Sequence, residues 1–342
     1  MIPLQVTLGK TGITVDKNGF GALPVQRVGR REAVYLLRKA FEHGITFFDT
    51  ARSYSDSEEK LGCAFRNLRE KIFIATKTPA TTATGFWDDL HTSLRLLHCD
   101  YVDILQFHNP AFCPKPGDGS GLYEAMQEAR QQGKIRFIGL TNHRLPVARE
   151  AVDSGLYDTL QFPFSYLATP EEHQLAARCR ERQIGFLAMK ALAGGLITDA
   201  MTAYAYLAQF DHVLPLWGIQ RERELNEFLA CRSTPPALDA VRQAVIDRDR
   251  RMLQGNFCRG CGYCLPCPAG IEINTCARMS LLIRRAPSAA QLTAPMQAMM
   301  KRIESCLHCG RCAERCPYHL DTPALLQANY QDYREILAGK PV

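Results

Sequence analysis

The stretch CRGCGYCLPC, residues 258–267, holds four cysteines and is followed by a proline; CLHCGRCAERCP, residues 306–317, nearly repeats it. A C-x2-C-x2-C segment wraps three thiolates around one face of an iron–sulfur cubane. A fourth cysteine followed by proline is turned away and ligates the other cluster of a pair. On that rule Cys258, Cys261, Cys264 and Cys316 hold one 4Fe-4S cluster, and Cys306, Cys309, Cys312 and Cys267 hold the second. The second run has the usual three residues before its last cysteine, whereas the first has two. Structural zinc, the alternative, usually pairs two C-x2-C knuckles across a longer gap, and eight thiolates exceed what one zinc needs. The other six of the fourteen cysteines are scattered singly and read as small buried hydrophobes. Cys113, in a candidate active-site loop, and Cys276, near the first run, are the two with a chemical setting.

A second constellation lies upstream, where apolar runs stop at polar residues: Asp49, Lys77, His108, Thr141, Asn142, Gln161, Lys190 and Gly218. Tyr54 follows Asp49 in DTARSY. A tyrosine is a weak acid with a pKa of about 10. A lysine ammonium paired to an aspartate stabilises its phenolate and brings that acid nearer neutrality. A histidine can then orient a carbonyl oxygen by hydrogen bond. Asp49, Tyr54, Lys77 and His108 thus suit proton delivery to a carbonyl under reduction.

The elements that must position these residues follow from periodicity. Short apolar runs at 19–24, 45–49, 71–77, 102–108, 135–141, 158–164, 184–190 and 212–218 alternate with stretches of helical spacing such as REAVYLLRKAFEHG. Eight strand–helix units predict a (β/α)8 TIM barrel, whose active site lies at the C-terminal ends of its strands. A doubly wound sheet is the alternative, but no G-x-G-x-x-G follows the first strand. The 38 residues between the cysteine runs read as helical, so the C-terminal region is similar to an α-helical two-cluster ferredoxin domain. The expected organisation is a barrel over 1–234, a helical linker over 235–255 and an α-helical 4Fe-4S ferredoxin-like domain over 256–342.

The barrel resembles the aldo-keto reductases, and with its tail the iron–sulfur branch of that family. GITFFDTARSYSDSEEKLG, ATKT and LQFHNP carry the family's aspartate, tyrosine, lysine and histidine onto Asp49, Tyr54, Lys77 and His108. GLTNH and LQFPFSYL resemble the segments that hold a nicotinamide carboxamide, implying Thr141, Asn142 and Gln161. WGIQRERELNEF, beginning beside Gly218, resembles the loop and helix that hold the adenosine phosphate, implying Arg221 and Glu224. The chain departs from the family at Met189, where an aromatic ring commonly stacks on nicotinamide, and at Phe228, where an asparagine is expected near adenine. Lys190 stands where a small polar residue is commoner, and its charge could meet a cofactor phosphate.

Composition bounds the rest. With 46% hydrophobic and 22% charged residues, the 342-residue chain can bury a sizeable core. A formal charge of +6, with both signs interspersed, argues for a solvated surface and against nucleic acid. MIPLQVTLGK lacks the pattern of a signal peptide, and no apolar stretch is long enough to cross a bilayer, so a cytoplasmic protein is expected. Nicotinamide passes a hydride and the clusters pass single electrons; flavin could convert one into the other, but has no recognisable motif here. Three readings therefore stand. The first is a carbonyl reductase whose clusters exchange electrons with a ferredoxin or flavoprotein. The second is an NADP(H)-dependent reductase whose clusters are structural or sensing. The third is an electron-transfer or redox-sensing module that binds ligand without turnover. The Pro- and Gly-rich loop 109–121 reads as a lid or a spacer.

Overall fold

The computed structural model describes residues 5–253, 257–285 and 288–341. It divides into two compact units, Met1–Ala191 with Ala200–Asp239, and Leu192–Asp199 with Ala240–Val342.

The first unit opens on an antiparallel hairpin, β1 (Gln5–Thr7) and β2 (Thr14–Asp16). Eight parallel strands follow: β3 (Gly19–Gly21), β4 (Phe47–Asp49), β5 (Phe73–Thr78), β6 (Val102–His108), β7 (Ile135–Thr141), β8 (Thr159–Pro163), β9 (Gly185–Met189) and β10 (Val213–Gly218). They close into a barrel, β10 pairing with β3. Each is followed by a helix: α1 (Arg30–Glu42), α2 (Ser57–Phe65), α3 (Ala83–Leu97), α4 (Leu122–Gln131), α5 (Leu145–Ser154), α6 (Pro170–Glu181), α7 (Ala200–Leu207) and α8 (Glu222–Ser233). The TIM barrel expected from the alternation is therefore the fold. Local chemistry sets several helix ends. Thr82 caps α3 by accepting from the Gly85 N–H, and Thr169 with Glu172 forms a reciprocal capping box on α6.

The hairpin was not anticipated, although VTLGKTGITVD alternates in period two around a Gly-containing turn. Its Val6, Leu8, Ile13 and Val15 share one core with the strand residues Phe47, Ile104, Leu187 and Leu214. Each such burial contributes about 1.5–3 kcal/mol, so the hairpin plugs one mouth of the barrel and leaves the strand C-termini for chemistry.

Between α8 and the next helix, residues 234–239 run without regular structure; α9 spans Ala240–Met252 and belongs to the second unit. The helix expected from Pro235 is thus shortened at its start, and residues 254–255 lie outside those described. The remaining helices are α10 (Ile273–Cys276), α11 (Met279–Arg285), α12 (Ser288–Gln291), α13 (Ala294–Lys301), α14 (Arg311–Glu314) and α15 (Thr322–Leu337). Ile271, Met279, Ile283, Met300, Ile303 and Leu326 are among the residues of this unit's core. Among the described residues no helix is long and apolar enough to cross a membrane.

Candidate functional site

Side chains on one face of a strand recur every second residue, and parallel partners point the same way. Lys77 on β5 is therefore level with Gln106 on β6, and His108 with Thr141 on β7 and Gln161 on β8. At the centre, the Lys77 Nζ donates to both oxygens of Asp49, each at 2.7 Å, and to the Thr50 carbonyl at 2.6 Å. Burial pushes the Lys77 pKa down and that of Asp49 up, and each charge opposes the shift of the other. Gln106 donates to Gln161 at 2.8 Å, and both amides face the Asp49 carboxylate at 3.4–3.5 Å.

Beyond β4 the chain runs alongside β5, the Thr50 and Arg52 N–H groups donating to the carbonyls of Ala75 and Lys77. The turn is then pinned: Ser57 donates to the Ala22 carbonyl, and Arg52 pairs with the fully buried Glu58, which also accepts from Thr76. This brings the Tyr54 ring to 5.1 Å from Lys77 Nζ and edge-on to His108, with ring centres 5.7 Å apart. Burial, and then the Lys77 charge, push the His108 pKa down to about 3. His108 is thus a neutral imidazole at ordinary pH, able to hold an oxygen but not to act as the acid. Asp49, Tyr54, Lys77 and His108 are thus brought together, Tyr54 from the loop after β4 and the other three from strands.

Gln106 was missed, although it lies two residues before His108 on the same strand face, a signal the alternation contains. Gly139 on β7 makes room for it: a Cβ there would lie 2.7 Å from Gln106 Cγ. Arg52 and Glu58 carried no sequence signal of this kind, because their pairing exists only once α2 packs.

The expected nicotinamide residues are also placed. Thr141 donates weakly to the Met189 sulfur at 3.7 Å, and Asn142 donates to the Pro110 carbonyl at 2.8 Å. An Asn amide carries two N–H donors, so that bond leaves one of them, and the Thr141 hydroxyl spends its proton on a poor acceptor. These groups fit a carboxamide. Lys190, in the left-handed region with φ 56°, directly follows β9. Gly218 is exposed at the end of β10. Arg221 is the N-cap residue of α8 and meets Glu224 at 3.3 Å, and the Glu224 carboxylate also accepts from the Gln220 and Arg221 N–H groups. Phe228 is buried and stacked on Trp217 at 4.2 Å, a core residue.

Loop 109–121 is anchored from beneath. Cys113 is buried, its thiol pushed up to about 11 by burial, and Tyr157 donates to the Pro114 carbonyl. Cys276 is likewise buried in the core of the second unit, its thiol pushed up to about 12. Both are inert hydrophobes.

In the second unit the two cysteine runs share a backbone device. The residues before and after the second cysteine, Gly260 and Gly262 in one run, His308 and Gly310 in the other, all have positive φ. This curls each run, and the Gly260 N–H points at the Cys258 sulfur at 3.4 Å. Burial and the neighbouring thiolates of Cys258 and Cys261 push the Cys264 thiol up to about 12, a crowding that a bound cluster relieves. Cys306 and Cys309 act on Cys312 in the same sense. Cys267 and the triad Cys306, Cys309 and Cys312 line one cavity with the apolar Ile271 and Leu326. Cys316 follows α14, its N–H donating to the Ala313 carbonyl at 3.1 Å. Among the described residues no three Cys, His, Asp or Glu side chains converge to chelate a single ion; five of the eight thiols, Cys264, Cys267, Cys306, Cys309 and Cys312, line one cavity. All eight are free thiols, a donor set that fits iron–sulfur clusters.

A closed barrel with this strand-end set, followed by a cysteine-rich helical unit, defines an oxidoreductase with an iron–sulfur module. Residues 17–243 match the aldo/keto reductase family, and residues 257–321 match a 4Fe-4S dicluster domain. The chain belongs to the aldo/keto reductase family. It is 32% identical over 211 residues to an L-galactose dehydrogenase of Arabidopsis thaliana, covering 56% of this chain and 66% of that protein, just under two thirds of its length. It is 25% identical over 228 residues to an NADH-specific methylglyoxal reductase of Escherichia coli (strain K12), covering 58% and 70%. An aldo-keto reductase from Klebsiella pneumoniae in complex with NADPH superposes with a TM-score of 0.61 at 22% identity, covering 72% and 95%, a likeness of fold.

Proposed function

We propose that the barrel reduces a small carbonyl compound, with Tyr54 as proton donor, and that two 4Fe-4S clusters in the second unit exchange electrons with it. The observation that carries the first part is the buried Lys77–Asp49 pair beneath Tyr54. Its ammonium stabilises the phenolate that remains when Tyr54 protonates the carbonyl oxygen. His108, neutral, donates a hydrogen bond to that oxygen and fixes the carbonyl against the tyrosine. Gln106 and Gln161 hold the Asp49 carboxylate in place from the other side. When bound, nicotinamide supplies a hydride and the clusters supply single electrons. Thr141, Asn142 and Gln161 are assigned to the carboxamide, and Lys190, Gly218, Arg221 and Glu224 to the phosphate end. NADP(H) is favoured over flavin because these donors are present.

A second reading makes the clusters structural or sensing. It is favoured by the packing of Cys258, Cys264, Cys267, Cys306 and Cys312 against the core of their unit, which cluster loss would unsettle. Anaerobic purification with iron, sulfide, flavin and nicotinamide analysis decides the carriers. Tyr54→Phe tests the barrel: carbonyl reduction should fall about 10²–10⁴-fold while nicotinamide binding, read by fluorescence titration, persists. Retention of most turnover would remove Tyr54 from the acid's role.

A further inference from the structure

The two cysteine runs differ in accessibility. All four cysteines of the first are half-buried, whereas Leu307, His308, Cys309, Gly310 and Arg311 of the second are exposed in succession, Leu307 by 65%. Cys309 is the one exposed thiol among the eight proposed ligands. Around it the surface is basic. Arg311 lines the same cavity as Cys306, Cys309 and Cys312. Arg315 follows four residues later, on the same side of α14 and its cap. Arg302 reaches towards the Gly270 carbonyl, beside the Cys267–Ile271 wall of that cavity. Lys301 precedes it at the end of α13. None of these four cations forms a salt bridge among the described residues. The acids nearby are Glu304, whose carboxylate accepts from Tyr330, Glu314, and the exposed Glu272 and Asp321, which flank residues of the cavity wall; over the whole second unit fourteen cations stand against nine acids, a net +5.

An exposed leucine over a cluster ligand, rimmed by unpaired cations, suits a brief encounter with an oppositely charged redox protein. Such encounters bury little surface and take their speed from charge steering. We propose that this face, built on Arg302, Leu307, Arg311 and Arg315, is the docking surface for an acidic one-electron carrier protein. The proposal rests on the two-cluster reading above. In the step itself one electron leaves the reduced carrier, which is thereby oxidised by one, and the cluster at Cys306–Cys312 is reduced by one; no bond forms and no proton moves.

The test uses the anaerobic holoprotein and, as probe, a purified acidic ferredoxin in its reduced form. Cluster reduction is followed by stopped-flow visible absorbance, independently of carbonyl turnover. Arg302→Glu/Arg315→Glu should slow reduction by the ferredoxin roughly tenfold or more at low ionic strength, and the gap should close as salt is added. Reduction by methyl viologen radical, a cation, should hold or rise in the same variant. Unchanged ferredoxin rates, or equal losses with both donors, would overturn the proposal. Should that variant fail to retain iron, Lys301→Glu/Arg302→Glu, whose residues precede the run, serves with the same expectations. Rapid cluster reduction by ferredoxin with no effect on barrel turnover would instead refute the electron-relay reading and leave the docking surface standing.

Discussion

Removing the Lys77 ammonium should expose how the barrel tolerates a charge at its centre. Lys77 and Asp49 are 1% and 4% exposed, and the ammonium meets both carboxylate oxygens at 2.7 Å. In Lys77→Met the carboxylate keeps only Gln106 and Gln161, at 3.5 and 3.4 Å, long for hydrogen bonds. Stranding one member of such a pair costs about 3–5 kcal/mol. Asp49→Asn strands the ammonium and should cost a similar amount. The double variant buries no charge, so its loss should fall short of the summed single losses by about 2–3 kcal/mol. Urea unfolding followed by tryptophan fluorescence measures this on the barrel alone, because Trp87 and Trp217 are the chain's two tryptophans and both lie in the first unit. All three variants should be inactive in carbonyl reduction. Additive losses would mean that the two groups do not act as an ion pair, and the account of Tyr54's activation would fall with them.

Other outcomes follow from the same geometry. His108 is held to about 3 when folded against about 6.5 when unfolded, so between those values the unfolded chain binds a proton that the folded one does not. Stability should therefore fall as pH drops from 6.5 towards 3, by up to about 1.4 kcal/mol per unit, and His108→Gln should reduce that slope; an unchanged slope would refute the burial argument. Above pH 6.5 His108 contributes no slope. Anaerobically reconstituted protein should contain about eight iron and eight sulfide, and stoichiometric zinc without sulfide would refute the cluster assignment. Cys309→Ala should lower the iron content and stop turnover that depends on an external electron donor, and unchanged donor-linked turnover would favour the structural role.

How much of this was legible beforehand depends on the range of the interactions involved. Short-range patterns carried the barrel: strand and helix periods are local, and β6 and β7 run over the residues that periodicity assigned them. The cysteine spacing was equally local, since a curled C-x2-C-x2-C loop is specified within seven residues. Asp49, Lys77 and His108 could be named because barrel strands end where side chains face the site. Other features required the closed fold. Gln106 joins Asp49 only across strands, with Gly139 clearing its space, and Arg52 finds Glu58 only when α2 packs. Phe228 and Cys113 look the same in sequence whether they face a ligand or a core; burial assigned both to the core. The neutrality of His108 was likewise invisible, because a histidine's charge at working pH depends on desolvation and on a lysine thirty-one residues away in sequence. Residue types and local periods therefore determined the fold class and the chemical inventory. Tertiary structure decided which groups are buried, paired and charged, because those properties arise from neighbours brought together only by closure of the barrel.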